Sequence, residues 1–372
     1  MKTRDTAVCS LAYIAGDQAG LRPAGNMRRG SRGDGPALCA RASGAPGVAT
    51  YNRPRSPAVR KPMPANPAAQ HDDISPGSLR AWAVAVRPKT LPIAAIPVVV
   101  GTSLAWMHGA AILPWVAALA FVASIIMQVI TNLQNDVGYT ARGLETGLRV
   151  GLPRATAKGW LTPAEVRRAI AVAIAGATLV GTPLALHAGP AVAGIGVASV
   201  LAALSYMGGP RPIAYTPFGE LAVFVFFGLV AVLGTYLLHA GAGGPTVWLA
   251  AIAIGSHAAA VLVVNNHRDA DHDRRTGRRT FAATFGKDAS AALYAATLWT
   301  PFAIVSLMAV ADARPGLAAP LLLLPMAWRL QRDFANLPPG PAFNFILFRT
   351  VKLELFFGAA LSAGAALQRL AS

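Results

Sequence analysis

The amino-acid sequence predicts an all-α, polytopic membrane protein with nine transmembrane helices. Three observations point that way. Hydrophobic residues make up 54% of the 372 residues and charged residues only 13%, with a mean hydropathy of +0.46, values far from those of a soluble domain of this length. Apolar stretches near the roughly 20 residues that cross a bilayer recur along the chain. The polar connections between them alternate between basic and non-basic.

The expected spans cover 91–109, 113–138, 166–187, 190–209, 219–239, 246–267, 289–311, 316–331 and 345–367. Arg80, Arg87 and Lys89 precede the first. Arg142, Arg149, Arg154, Lys158, Arg167 and Arg168 lie between the second and third, and Arg211 between the fourth and fifth. Arg268, Arg274, Arg275, Arg278, Arg279 and Lys287 lie between the sixth and seventh, and Arg329 and Arg332 between the last two. The opposite connections, at His108, at 187–189 and at 239–244, carry no Lys or Arg; only the one with Asp312 and Arg314 departs from the pattern. The positive-inside rule then places the N-terminus in the cytoplasm and the C-terminus outside, in a cytoplasmic (cell inner) membrane.

Residues 1–62 differ in kind. They are rich in Arg, Gly, Pro and Ala, and eleven Lys or Arg against three Asp give them +8 of the formal +17. Such composition builds no core and reads as a disordered basic segment, set apart from a transmembrane domain over 63–372. Alternatives for it are a short signal-like stretch, translation starting at Met63, or, last, a basic arm on anionic lipid or nucleic acid. Nucleic acid is not an expected partner. Cys9 and Cys39 both fall in this segment, so the remaining chain has neither a disulfide nor a thiolate metal site.

Two stretches carry chemistry. The second span ends in "VITNLQNDVGYTARG" (129–143) and the sixth in "VVNNHRDADHDRRTGRRT" (263–280). In each, an Asn precedes an Asp by four residues: Asn132 and Asp136, Asn265 and Asp269. Positions i and i+4 share a helical face, so Asn132 projects with Asp136, and Asn265 with Asp269 and Asp273, while Asp271 points elsewhere. Two such faces meeting in a bundle make a carboxylate-lined cup at the membrane surface, ringed by arginines. Carboxylates plus phosphate oxygens and water suit Mg²⁺, and arginines suit the remaining phosphate charge. An apolar bundle below suits a hydrocarbon tail, so the expected substrate is a prenyl diphosphate. Topology alone also explains arginines in a cytoplasmic loop, and a single Asp at a span end is ordinarily solvated or paired. The repeated Asn-x-x-x-Asp at two equivalent span ends is what favours function.

These motifs resemble the two aspartate-rich motifs of the UbiA superfamily of intramembrane prenyltransferases. "VRPKTLPIAAIPVVVGTSLAW" (86–106), "RVGLPRATAKGWLT" (149–162), "GGPRPIAYTPFGELAVFVFFG" (208–228) and "FNFILFRTVKLELFFG" (343–358) bring the resemblance closest to the branch that prenylates 1,4-dihydroxy-2-naphthoate in menaquinone biosynthesis. It covers about residues 80–370. It implies nine helices around a central cavity and Mg²⁺-dependent transfer of a polyprenyl group from its diphosphate to an aromatic acceptor. It further implies Asp136, Asp269 and Asp273 as metal ligands supported by Asn132 and Asn265, and Arg149, Arg154 and Arg279 as diphosphate contacts.

The sequence departs from the family where a second aspartate usually follows the first by three residues: Tyr139 stands there, and Glu145 takes the place of a later aspartate. "GLPR" also replaces the usual Gly-Pro-Leu-Arg order before Arg154. Metal at the first motif is then expected through Asp136 and Glu145, with Tyr139 donating to phosphate. "GGPRP" (208–212) is a helix stop; Tyr215 and Glu220 near it are candidates for the acceptor side. His257 is expected in helix packing. Other aromatic acceptors, of the 4-hydroxybenzoate or homogentisate type, remain open. So does a cation-coupled transporter, against which the span-end position of the aspartates beside arginines argues.

Overall fold

The computed structural model describes residues 74–144 and 151–371. The expectations for residues 1–62, and the site candidates Glu145 and Arg149, lie outside these described residues. Every regular element within them is helical.

The first element, α1 (Leu79–Val86), starts where the Ser78 side chain accepts a hydrogen bond from the Ala81 N–H at 3.2 Å, satisfying one of the unpaired donors of a helix start. It stops before Pro88, which cannot continue the hydrogen-bond ladder. A single 3-10 turn, Pro88–Thr90, leads into α2 (Pro92–Met107), followed by α3 (Pro114–Ala141), α4 (Pro163–Ala188) and α5 (Pro190–Met207). Next come α6 (Gly219–Ala240), π-helical over Phe224–Leu233, and the two longest helices, α7 (Pro245–Arg275) and α8 (Phe281–Ala311). Proline opens each of α2, α3, α4, α5 and α7, where its missing N–H has no helical partner to lose. A bend in α8 falls at Gly286, whose φ of 91° only glycine adopts without strain. A 3-10 run, Pro315–Leu323, then leads to α9 (Leu324–Asn336) and α10 (Phe343–Ala371).

Seven helical spans among the described residues are long and apolar enough to cross a membrane: α1 with α2, then α3 to α8. The expected count of nine is not reached on those criteria. The stretch at 316–331 does not form one regular span, because Pro315, Pro320 and Pro325 interrupt it every five residues and only 13 residues of α-helix follow. The 29-residue α10 is long enough, about 43 Å at 1.5 Å per residue, but its first half carries Arg349, Lys352 and Glu354.

Packing is centred on α7, the most buried span, while α4 and α5 are the least buried and present Val172, Leu179, Leu186 and Val197 outward. Lipid-facing helices need no polar cover, so these leucines and valines are in their ordinary solvent. Between α6 and α7 the backbones touch: a Cβ on Gly228 would lie 2.5 Å from the Gly255 Cα, a close approach that small residues permit in membranes. A cavity of about 640 Å³ lies among α2 to α7, its walls largely apolar, with Ile93, Met127, Phe227, Val230 and Leu262 among them.

Candidate active site

The last turns of α3 and α7 carry both aspartate motifs, and Ala155 and Thr156 before α4 and Arg278 and Thr280 before α8 reach back to them. Asp136, on α3, is fully buried. Its carboxylate accepts from the Ala155 N–H at 2.8 Å, the Thr156 N–H at 2.9 Å and the Thr156 hydroxyl at 2.6 Å. It therefore anchors the loop that carries Arg154. Asn132 does not join it there: its amide donates to the Val86 carbonyl at 2.8 Å, and its oxygen accepts from Gln128 at 3.3 Å.

On α7, Asp269 receives both Nε and Nη2 of Arg268, at 2.9 and 2.7 Å, the two-pronged geometry that suits a guanidinium to a carboxylate. Arg268 also donates to Asn344 on α10 at 2.6 Å. Asp273, with no exposed surface, accepts from Arg278 at 2.7 Å and from the Thr280 hydroxyl at 3.1 Å. Thr280 in turn caps α8. Asp271 faces outward as expected, paired with Arg274 and Lys287.

Tyr139 sits between the two motifs. Its hydroxyl is hydrogen-bonded to Arg278, whose guanidinium lies 5.0 Å from the ring centroid, and the Arg154 guanidinium lies 4.2 Å from it. Both arginines are buried. Burial works against the charge on Arg278, but Tyr139 and Asp273 beside it outweigh burial and hold its pKa above the ordinary arginine value. Two permanent cations thus lie against one aromatic ring, an attraction that strengthens as water is excluded.

The fold arranges several of the expected residues differently from what helical spacing alone suggests. Arg279, expected at the diphosphate, is exposed, and its neighbour Arg278 occupies the buried position. The chain turns at Gly277, φ 75°, so helical periodicity no longer tells which of two adjacent arginines points inward. The expected cup does not present bare carboxylates either, since all three aspartates are engaged by protein donors. The reason is electrostatic: buried carboxylates need partners, and Arg268 and Arg278 fold in to supply them for Asp269 and Asp273, while the Ala155–Thr156 backbone and hydroxyl supply them for Asp136. Tyr215 is half-buried on the loop after α5, its ring 5.4 Å from the Arg142 guanidinium, and Glu220 accepts from Asn266 at 2.8 Å. Neither lines the cavity; Tyr206 does. Asn265 also lines it, together with Gln128, Asn132, Asn135 and Arg87. His257 behaves as expected, with Nε2 at 3.3 Å from the Leu298 carbonyl and its ring edge-on to Phe302 and Phe357.

A multi-helix membrane fold with two aspartate motifs and buried arginines beside an apolar cavity defines an intramembrane enzyme for a charged, greasy substrate. Residues 94–349 match the UbiA prenyltransferase family, and the chain belongs to it. It is 37% identical over 214 residues to a 1,4-dihydroxy-2-naphthoate octaprenyltransferase of Escherichia coli, covering 56% of this chain and 69% of that protein. With the Mycobacterium leprae protein of the same name it shares 34% over 289 residues, 77% of this chain and 96% of the relative. Among solved structures, a UbiA homologue from Archaeoglobus fulgidus bound to GPP and Mg²⁺ superposes with a TM-score of 0.56 at 15% identity, covering 77% of this chain and 99% of that one. Another from Aeropyrum pernix gives 0.57 at 16% identity, covering 74% and 98%; at these identities the likeness is one of fold.

Proposed function

We propose that the protein transfers a polyprenyl group from an allylic prenyl diphosphate to an aromatic acceptor, 1,4-dihydroxy-2-naphthoate, as the names of its relatives indicate. The observation that carries this reading is the buried set Arg154, Tyr139, Arg278, Asp273 and Asp269 at the ends of α3 and α7, in a protein whose apolar cavity reaches α3 and α7. Arg154 and Arg278 neutralise the diphosphate as the allylic C–O bond breaks; a ring carbon of the acceptor forms the new C–C bond and releases its proton or carboxyl group. Preorganised cations at the leaving group stabilise the charge that develops there.

Mg²⁺ is the proposed cofactor. Among the described residues no three acidic, His or Cys side chains stand together as a ready ligand set. The donor chemistry nevertheless fits a hard cation: Asp269 and Asp273, four residues apart on one face of α7, offer carboxylate oxygens with further lone pairs. Metal bound there would take up negative charge on the leaving diphosphate. We assign Asp136 first to holding the Arg154 loop. A cation-transport reading is disfavoured because the one charged side chain among the described residues lining the cavity is an arginine, which repels cations.

The site faces the cytoplasm of an inner membrane in this reading, with the C-terminus outside, and residues 1–62 are dispensable for the activity of the 63–372 domain. The test is to incubate membranes containing the protein with Mg²⁺, prenyl diphosphates of several lengths and a panel of aromatic acids, and to weigh the products. A prenylated naphthalene product is expected. Product from 4-hydroxybenzoate alone would reassign the acceptor, and no prenylated product from any acid would refute the reading.

A further inference from the structure

Glu354 lies in the middle of α10 with no exposed surface. Among the described residues, neither of its side-chain oxygens meets a hydrogen-bond donor. The charged and titratable groups of its own helix and of the neighbouring elements are occupied elsewhere. Arg349 pairs with Asp333 on α9, Lys352 is exposed, Lys89 lies over the Phe348 ring, and His257 meets the Leu298 carbonyl through Nε2. The His257 Nδ1 is itself without a partner, so the imidazole does not serve Glu354. An ionised carboxylate so placed is far more costly than a neutral acid. The neutral acid also brings a donor of its own, the O–H, which needs an acceptor.

Two pairs of contacts fix the level at which Glu354 sits. Towards α2, Lys89 lies over the Phe348 ring, and a Cβ on Gly358 would collide with the Ile96 side chain. Both partners ascend together, so α2 and α10 run in the same direction, and Glu354, between Phe348 and Gly358, comes level with Ile93. It is one turn from Gly358 and shares its helical face. At that level the Ile93 carbonyl lacks its helical donor, because Pro97 stands four residues on, inside α2, and has no N–H. Towards α7, Phe343 stacks on His267 with centroids 5.3 Å apart and Phe357 meets His257 at 4.6 Å. These two helices run in opposite directions, and Glu354 comes level with the buried Ala258, Ala259 and Ala260, whose side chains neither donate nor accept.

We propose that Glu354 is a positioning residue of the transferase: as a neutral acid it donates to the Ile93 carbonyl that Pro97 leaves free, and so ties α10 to α2. Both tied segments border the reaction. Asn344, in the first turn of α10, accepts from Arg268, which holds Asp269, and Ile93 and Ala94 form part of the cavity wall. One buried donor and one orphaned acceptor satisfy each other, as buried polar groups must. An apolar side chain of similar volume would fill the space but strand the carbonyl. Gln would not strand it, since its NH₂ donates where the O–H of the acid does. The kinetic consequence rests on the proposed function; the hydrogen bond does not.

The experiment uses the full chain in detergent. Infrared difference spectra between wild type and Glu354→Gln at neutral pH, with isotope-labelled glutamate to mark the band, should show a protonated carboxyl stretch that the variant lacks. A difference confined to carboxylate bands would overturn the proposal. Thermal melting identifies the acceptor. Glu354→Leu should melt at least about 2 °C below wild type, the scale of one lost hydrogen bond in a chain of this size, and Glu354→Gln within about 1 °C of wild type. In a Pro97→Ala background, where a restored N–H serves the Ile93 carbonyl, the Leu substitution should cost less than about half as much, the non-additivity of a direct pair. Equal losses in the two backgrounds would show that this carbonyl is not the partner. For turnover, Glu354→Leu should lower kcat severalfold while Glu354→Gln stays within about twofold of wild type. A kcat as low in Gln as in Leu would make the ionisable carboxyl itself the operative group and overturn the positioning role. Absence of prenyl transfer in wild type would sink the proposed reaction and leave the infrared and melting arms to judge the hydrogen bond.

Discussion

At the scale of single residues, the site is held by charge pairs whose members have distinct jobs. Asp136 binds two backbone N–H groups and one hydroxyl of the Arg154 loop, so Asp136→Ala strands buried donors. Hydrogen bonds to a charged group are worth about 1.5–3 kcal/mol each, and a clear drop in thermal stability in detergent should accompany loss of activity. Asp269→Ala and Asp273→Ala should reduce turnover about a hundredfold or more, the usual scale for removing one electrostatic stabiliser. Near-normal turnover of Asp269→Ala at saturating Mg²⁺ would place the diphosphate elsewhere; an Asp136→Ala protein of wild-type stability would remove the loop-anchoring role. Tyr139 offers a second test, because its hydroxyl meets Arg278 and its ring faces Arg154. A neutral phenol is a poor Mg²⁺ ligand. Tyr139→Asp should therefore lower the Mg²⁺ concentration for half-maximal rate, whereas Tyr139→Phe should leave it nearly unchanged and raise the KM for prenyl diphosphate severalfold. Superimposable Mg²⁺ titrations for wild type and Tyr139→Asp would show that position 139 does not face the metal.

At the scale of elements, the register of α6 on α7 decides where the site residues of both helices lie. Gly228 and Gly255 let the two backbones meet, and a Cβ on Gly255 would come within 2.6 Å of the Phe224 carbonyl oxygen. Backbone cannot move aside as a side-chain end can, and forcing extra volume into a packed contact costs about 1–3 kcal/mol. Gly255→Val is expected to lower the melting temperature in detergent and to disturb the bond between Glu220 on α6 and Asn266 on α7, reducing kcat with little selectivity between acceptors. An unchanged melting temperature would mean that the helices can separate at no cost and that the glycine contact is not what sets their register.

For the whole molecule, the proposed orientation rests on the alternation of basic and non-basic connections, and it predicts which side of the membrane each connection meets. A reporter fused after Ser372 should read external, and one inserted in the exposed stretch at 274–275 should read cytoplasmic. A cytoplasmic C-terminus would show that the stretch from Pro315 to Asn336 does not cross, which is where three prolines break the regular helix.

Composition and hydropathy alone determined that the chain is a helical membrane protein, because a bilayer forces every apolar span of sufficient length to satisfy its own backbone. Periodicity placed Asp136, Asp269 and Asp273 at helix ends, and the resemblance assigned them to the UbiA family, since those features are local in sequence. Their partners were not legible. Ala155 and Thr156 reach Asp136 from nineteen and twenty residues away, Arg278 reaches Tyr139 across 139 residues, and past Gly277 helical spacing no longer says which arginine turns inward. Arg87 read as one more cytoplasmic cation, and the aspartates as an open cup. Only the tertiary structure decided that Arg87 faces the cavity and that the aspartates are paired, because burial, unlike helical spacing, is settled by segments far apart in the chain that must satisfy one another's charges once water is excluded.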